Sequence, residues 1–207
     1  NPNATINVKR LGAWADEVNE SAFAVELIES FGCGVISQHC DSAQPQIAAQ
    51  NANVFGCGYN SDMTPDAPKA HLTAAIWNWN VYYATAIKAA QECGEAKNFV
   101  TKMGGSAYYG GLKEGFVDVS PLSENCAAGT DKAIEAVRAL MVSGEWDVFS
   151  GTQLKITVAD GEATVEQVEA ALVDNAGNEI VAAGGASVED GVITGTMNYF
   201  VAGVQEA

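Results

Sequence analysis

Between Ile6 and Cys93 short apolar runs alternate with stretches of helical periodicity, and this alternation constrains the fold more than any other feature of the chain. "INVKRLGA" reads as a strand. Asp16 then stands as a candidate N-cap, and Ala24, Leu27, Ile28 and Phe31 recur at helical spacing until Gly32 closes the helix. "CGVISQ" is a short, nearly continuous apolar strand of the kind that helices cover on both faces. Asp41 and Gln44 resemble a capping box ahead of the short helix "AQPQIAAQN". "NVFGCGY" and "HLTAAI" read as two further strands. A helix follows from about Trp77 to Cys93, with Tyr82, Ala86, Ala89 and Cys93 on the face that packs on the sheet and Gly94 as its end. Repeated strand–helix–strand units predict an α/β fold with a doubly wound parallel sheet.

Past Cys93 the pattern changes twice. "KMGGSAYYGGLKEGFVDVSPL" is glycine-rich and then extended. A helix is expected near 131–142, with Thr130 or Asp131 as its cap and Ile134, Val137, Leu140 and Met141 turned inward. From about residue 150, period-2 segments are separated by the turn signals "ADGE" and "DNAGN", which predicts antiparallel hairpins. The chain thus divides into an α/β lobe over residues 1–150 and a hairpin-rich extension over 151–207, whose apolar tail is expected to dock against another element.

The net charge of -16 leaves no Lys/Arg surplus to neutralise phosphates, so nucleic acid is excluded as a partner, and docking on anionic lipid heads is disfavoured. No apolar run approaches the roughly 20 residues needed to cross a bilayer. The polar opening "NPNATINVKR" is not a signal peptide and fits a mature chain. Five cysteines without CxxC spacing argue against a zinc knuckle or a complete disulfide framework; Cys33 and Cys57, in strand-like runs, are expected as buried core thiols. With His39 and His71 as the chain's two histidines, no metal site is expected, and no cofactor motif is present.

In an open parallel sheet, ligands bind beyond the carboxyl ends of the strands. Three strands end there in polar or aromatic loops: His39, Cys40, Asp41 and Ser42 after the first; Tyr59, Asn60, Ser61, Asp62 and Met63 after the second; Trp77, Asn78, Trp79 and Asn80 after the third. Acceptors, donors and flat rings from distant segments should therefore converge on one edge. Each has a plainer role available. Asp41 can cap a helix while it also meets a ligand, and Asp62 can fix a turn through backbone amides. Asn78 and Asn80 can cap or can read a ligand edge. In "IWNWNVYY", residues two apart point to different sides, so one tryptophan should turn inward and one towards the cleft, Trp79 being the favoured one. Lys113, on the glycine-rich loop, is a candidate donor.

A thiol dyad of His39 and Cys40 is disfavoured, because adjacent residues on an extended chain project to opposite faces. The GxSxG, HExxH and P-loop patterns are absent, so nothing supports catalysis.

Taken together, "HCDS", "GYNSDM", "PKAHLTAAIWNWNVYY" and "YYGGLKEGFVDVSPL" resemble the basic membrane protein (BMP) family of substrate-binding lipoproteins of ABC importers, similar to the purine nucleoside receptor A group. The resemblance spans about residues 1–150 and resumes at "DNAGNEIV" and "NYFVAGV". It implies a type I periplasmic-binding architecture, in which two α/β lobes close on a small ligand at the outer face of a bacterial membrane or in the periplasm. It also implies a lipid anchor on the full-length protein and an ABC permease as partner. Family ligands are purine nucleosides or nucleobases, and riboflavin in some members. The ligand-contacting set implied here is His39, Asp41, Ser42, Tyr59, Asp62, Trp77, Trp79 and Lys113, with a ring stacked on the base and carboxylates taking its donors. Three departures stand out. Residue 1 matches the point where the family's chain enters its second lobe, so the first lobe is missing. Cys40 replaces a threonine, and residues 152–173 look inserted. The competing readings are a structural or interaction module on the same fold, and a nucleoside hydrolase.

Overall fold

The computed structural model describes residues 4–207. Its centre is a four-stranded sheet in the order β2–β3–β4–β5, formed by β2 (Val35–Ser37), β3 (Phe55–Asn60), β4 (His71–Trp77) and β5 (Val117–Val119). The first three strands are parallel, while β5 runs antiparallel to β4 and pairs Val117 with Trp77. The chain is therefore a mixed α/β protein built on a parallel sheet.

The strand expected at "INVKRLGA" is shorter and placed elsewhere. β1 (Ile6–Val8) pairs in parallel with the last strand, β10 (Val204–Glu206), in a separate two-stranded sheet. Lys9 and Arg10 instead form ion pairs with Glu26 and Glu206, and Gly12 turns the chain at φ +75°. The apolar tail thus finds its partner at the other end of the chain.

Helix α1 (Glu17–Glu29) starts at Asp16, whose carboxylate accepts the Asn19 amide at 3.2 Å. It buries Ala24 and rests Leu27 and Ile28 on a core of Ile36, Ala48, Ala49, Ala67 and Ala70. Such small side chains let helix and sheet backbones approach closely. Phe31, expected on the same face, is exposed: the helix ends at Ser30 and Gly32 takes φ +67°, so the ring leaves the helical stripe and lies 5.9 Å from Lys9 Nζ.

The capping box expected from Asp41 and Gln44 does not form. Helix α2 (Gln44–Asn51) has Ala43 at its N-cap position, and the Gln44 amide donates to Ser42 Oγ at 3.2 Å. Pro45, in the first turn, has no N–H to offer, and the Asp41 backbone is already tied to Trp14 O at 2.8 Å. Gln46 is fully buried and donates to Cys57 O and Gln38 Oε1, linking α2 to β3 and to the segment after β2.

Helix α3 (Trp79–Glu92) begins two residues later than expected, because Trp77 is still a paired strand residue. It ends at Cys93 with Gly94 in the left-handed region, and a short helix α4 (Phe99–Lys102) follows. Helix α5 (Thr130–Ser143) is capped neither by Thr130 nor by Asp131 but by Gly129, at φ +86°. None of its residues is fully buried, and Met141 is exposed. β6 (Thr152–Ala159) and β7 (Glu162–Glu169) form an antiparallel hairpin whose apolar residues Ile156 and Val158 line an open apolar cavity together with Leu112, Ile134, Val137 and Met141. β8 (Leu172–Val173) and β9 (Glu179–Val181) pair antiparallel, and α6 (Asp190–Gly195) precedes β10.

Candidate functional site

At the carboxyl end of β3 and β4 lies an open groove of about 450 Å³ lined by Tyr59, Asn60, Trp77, Trp79, Tyr82, Tyr108 and Phe116. Its shape follows from the register. Because β5 runs antiparallel beside Trp77, Phe116 is delivered next to both tryptophans, with centroids 5.4 Å from Trp77 and 5.6 Å from Trp79. Tyr108 meets Phe116 edge-on at 5.1 Å and lies tilted against Tyr82 at 5.5 Å. Phe116 is buried and forms the floor, while Trp79 is 49% exposed and forms a wall. Such edge-to-face packing fixes ring positions while leaving one indole face available.

Asn78 holds this arrangement together. Its amide N–H donates to Phe116 O at 2.7 Å and its side chain to Gly115 O at 2.8 Å, so it does not cap α3 with its side chain. Gly110 matters for a steric reason: a Cβ there would lie 2.6 Å from Tyr108 Cε1 and 2.8 Å from Phe116 Cβ. Asn60 closes the groove's edge at φ +71°, a conformation asparagine tolerates better than most residues.

The predicted residues divide into groups. Tyr59, Trp77 and Trp79 line the groove. His39 stands beside it, its ring edge-on to Tyr59 at 4.5 Å and to Trp14 at 5.4 Å, which extends the aromatic row along the sheet edge. Asp41, Ser42, Asp62 and Lys113 do not line the groove. Asp41 is exposed on the loop after β2, and the Ser42 hydroxyl donates to Glu20 Oε2. Lys113 is exposed on the loop before β5, where Glu114 accepts the Gly111 amide at 2.8 Å. The face assigned to Tyr82 needs correcting. It lines the groove instead of packing on the sheet, and both tryptophans share that groove instead of dividing between core and cleft.

Asp62 Oδ1 accepts the Thr64 amide at 2.9 Å and the Thr64 hydroxyl at 2.6 Å, and these bonds hold its carboxyl below the usual range, with a smaller contribution from His71. The turn-fixing role is thus filled by one oxygen, and no hydrogen bond to Oδ2 forms among the described residues. Burial pushes the Cys40 thiol up to about 11, with Glu20 and Asp41 adding to the effect. Cys40 is buried while His39 is exposed, and both border a cavity of about 400 Å³ beside α1.

Four groups escaped the sequence reading. Tyr108 and Phe116 carry a signal only once the register of β5 is known. Trp14 and Glu20 carry no motif in the sequence that marks them out.

A profile of the Bmp family, described as PnrA-like ABC transporter substrate-binding proteins, matches residues 1–149. This chain belongs to the Bmp family. Among curated proteins, the Bmp chain is 29% identical over 206 residues to a purine-binding protein of Brucella abortus, covering 100% of this chain and 50% of that protein. It is 28% identical over 152 residues to a putative ABC transporter glucose-binding protein of Haloferax volcanii, covering 73% of this chain and 37% of that protein. The Bmp chain therefore spans half or less of the length of these relatives. A solved structure of a transcriptional activator of the comK gene from Bacillus halodurans superposes with a TM-score of 0.54 at 14% identity, covering 68% of this chain and 47% of that one, a likeness of fold alone.

Proposed function

We propose that this chain is the second lobe, with its return segment, of a two-lobed solute-binding component of an ABC importer, and that it takes a purine nucleoside or nucleobase as ligand. Residues 1–150 form the binding lobe, and 151–207 supply the hairpin extension and the connection back to the hinge. The observation that carries this reading is the aromatic groove at the carboxyl edge of a parallel sheet, flanked by the Asp41 and Asp62 loops, in a chain of a substrate-binding family. A flat heterocycle stacks on Trp79 against the Trp77–Phe116 floor. Asp41 and the Asp62 Oδ2 atom accept its N–H or ribose hydroxyl donors, while Ser42, His39 and Lys113 approach as the partner lobe closes. One lobe alone covers only one side of a ligand, so tight binding needs the second wall. Release to a permease at the outer face of the cell membrane or in the periplasm, from a lipid-anchored full-length protein, completes the cycle.

The relative named for glucose supports a second reading, because a sugar face also packs on tryptophan and its hydroxyls donate to carboxylates. Calorimetric titration of the two-lobed parent with adenosine, guanosine, adenine, riboflavin and glucose separates the two. Heat from a purine alone is the expected result. Heat from glucose alone replaces the purine reading, and no heat from any of the five leaves the structural-module reading standing.

A further inference from the structure

Glu20 carries a carboxylate into the interior, only 3% exposed, without a basic side chain paired to it. A buried charge of that kind is costly unless several donors converge on it. Here they do. The Asp16 amide donates to Oε1 at 2.8 Å, and the Ser42 hydroxyl donates to Oε2. The Glu20 charge also lies near the Cys40 thiol and, after burial, helps to raise its pKa. Its place in the first turn of α1 adds the favourable end of the helix dipole. The Ser42 donor belongs to the loop between β2 and α2, which also carries His39, Cys40 and Asp41. The same loop is tied to the start of α1 by the Asp41 amide on Trp14 O at 2.8 Å and by the His39 ring against Trp14. Gln38 closes it from the other side by donating to Ser42 O at 2.6 Å and Cys40 O at 3.0 Å.

We propose that Glu20 is a positioning residue of the ligand site: its buried carboxylate latches Ser42 to the start of α1 and so sets the direction in which Asp41 faces a ligand. The proposal rests on the ligand-binding reading given above. A merely structural Glu20, acting as an extra cap for α1 through the Asp16 amide, would stabilise the helix and leave the loop's chemistry alone. The two roles differ in what they do to Cys40 and to Ser42.

The test uses the two-lobed parent protein and the variants E20Q, S42A, the double variant E20Q/S42A, and E20D. Iodoacetamide labelling of Cys40, followed by peptide mass spectrometry across alkaline pH, reads the latch without any ligand. In E20Q the negative charge beside the thiol is gone, so Cys40 forms thiolate at lower pH and labelling near pH 9 rises several-fold. Titration with adenosine, guanosine and adenine reads the consequence for binding. E20Q weakens whichever purine binds by on the order of tenfold, and the double variant binds no more weakly than the worse single one, because both changes break the same link. E20D keeps the charge but draws it back by one methylene; it retains the late Cys40 titration and binds with intermediate affinity, and if E20Q does not fold, unchanged purine affinity in both E20D and S42A overturns the positioning role. An unchanged Cys40 profile overturns the latch. A shifted profile with unchanged purine affinity, or effects of E20Q and S42A that simply multiply, overturns the positioning role. A wild-type protein that binds no purine overturns the functional reading instead, while the Cys40 profile still decides the latch.

Discussion

His71 Nε2 lies 3.3 Å from Asp62 Oδ1, and the imidazole is fully buried while the carboxylate beside it is about half exposed. The ring holds its place at the start of β4 through its backbone, which donates to Ala67 O and accepts from Ser123 and Asn125. Neither ring nitrogen makes a well-aligned hydrogen bond among the described residues. Burial lowers the His71 pKa, and the nearby Asp62 charge only partly opposes that effect.

The sign of the pH dependence follows. The unfolded chain protonates this histidine near its ordinary value of about 6.5, whereas the folded chain keeps it neutral to lower pH. Protons therefore bind the unfolded state preferentially, and stability falls as pH drops from about 6.5 towards the folded-state value. Asp62, with its lowered pKa, still contributes its stability in that window and loses it only at more acid pH. The urea midpoint should fall between about pH 7 and about pH 5. In H71Q most of that fall should disappear. An equal slope in both proteins would mean that other groups cause it.

Trp79 and Phe116 touch in the same groove but should respond differently to truncation. Trp79 is 49% exposed and Phe116 only 5%. On the proposed purine-binding reading, Trp79→Ala removes a stacking surface worth about 0.5–1.5 kcal/mol beyond burial, so purine affinity of the two-lobed parent should fall by roughly tenfold while the melting temperature hardly moves. Phe116→Ala empties the floor under Trp77, Trp79 and Tyr108 and should cost about 3–5 kcal/mol of stability. Calorimetry and thermal melts on the two variants check this. A large loss of stability in Trp79→Ala with intact affinity would make that ring part of the core.

Asp118 on β5 and Arg138 on α5 form an ion pair about one-third exposed, and the Arg138 hydrogen bond holds the Asp118 carboxyl below its usual range. At that exposure the pair is worth about 1 kcal/mol or less, and added salt should weaken it. A lowered carboxylate pKa stabilises the fold above the unfolded value of about 3.9 and loses that contribution as pH falls through the folded value. Asp118→Asn should therefore reduce stability near neutral pH and flatten the acid limb of the pH–stability curve. Chemical denaturation at low and high salt reads both effects.

The order of strands and helices up to Cys93 was legible because each element satisfies a local rule: a polar cap at Asp16, left-handed glycines at Gly32 and Gly94, and apolar runs of strand length. What failed was non-local. No local signal tells "INVKRLGA" that its partner is Val204–Glu206, nearly two hundred residues away. Phe116 reaches the groove through the antiparallel register of β5, which is set by pairing and not by its own neighbours. Tyr82 was assigned to the sheet face by helical spacing alone, yet rings from the 104–116 loop gave it an aromatic partner on the other side. Glu20 did leave a trace. It stands four residues before Ala24 on the buried stripe of α1, and a carboxylate in that stripe needs donors from another segment.

Gly129 links α5 to the β6–β7 hairpin, and its replacement tests whether that hairpin is an integral part of the fold. It sits at φ +86°, and a Cβ would lie 2.7 Å from Val158 Cγ1 and 3.1 Å from the Gly161 carbonyl carbon. Left-handed backbone costs a non-glycine residue about 1–2 kcal/mol. The backbone of the hairpin turn cannot give way as a flexible side-chain end could, so Gly129→Ala should lose more than that strain alone. The hairpin would draw away from α5, widening the apolar cavity that Ile156 and Val158 share with Ile134 and Val137, and the Lys132–Glu162 ion pair would open with it. Limited proteolysis should then cut within residues 152–169 while the rest of the chain stays protected. Gly191→Ala is the control: that glycine has open space around it in α6, and alanine there should be neutral or slightly stabilising. A Gly129→Ala protein as stable as wild type, with an uncut hairpin, would show that the hairpin adapts freely and contributes little to the fold.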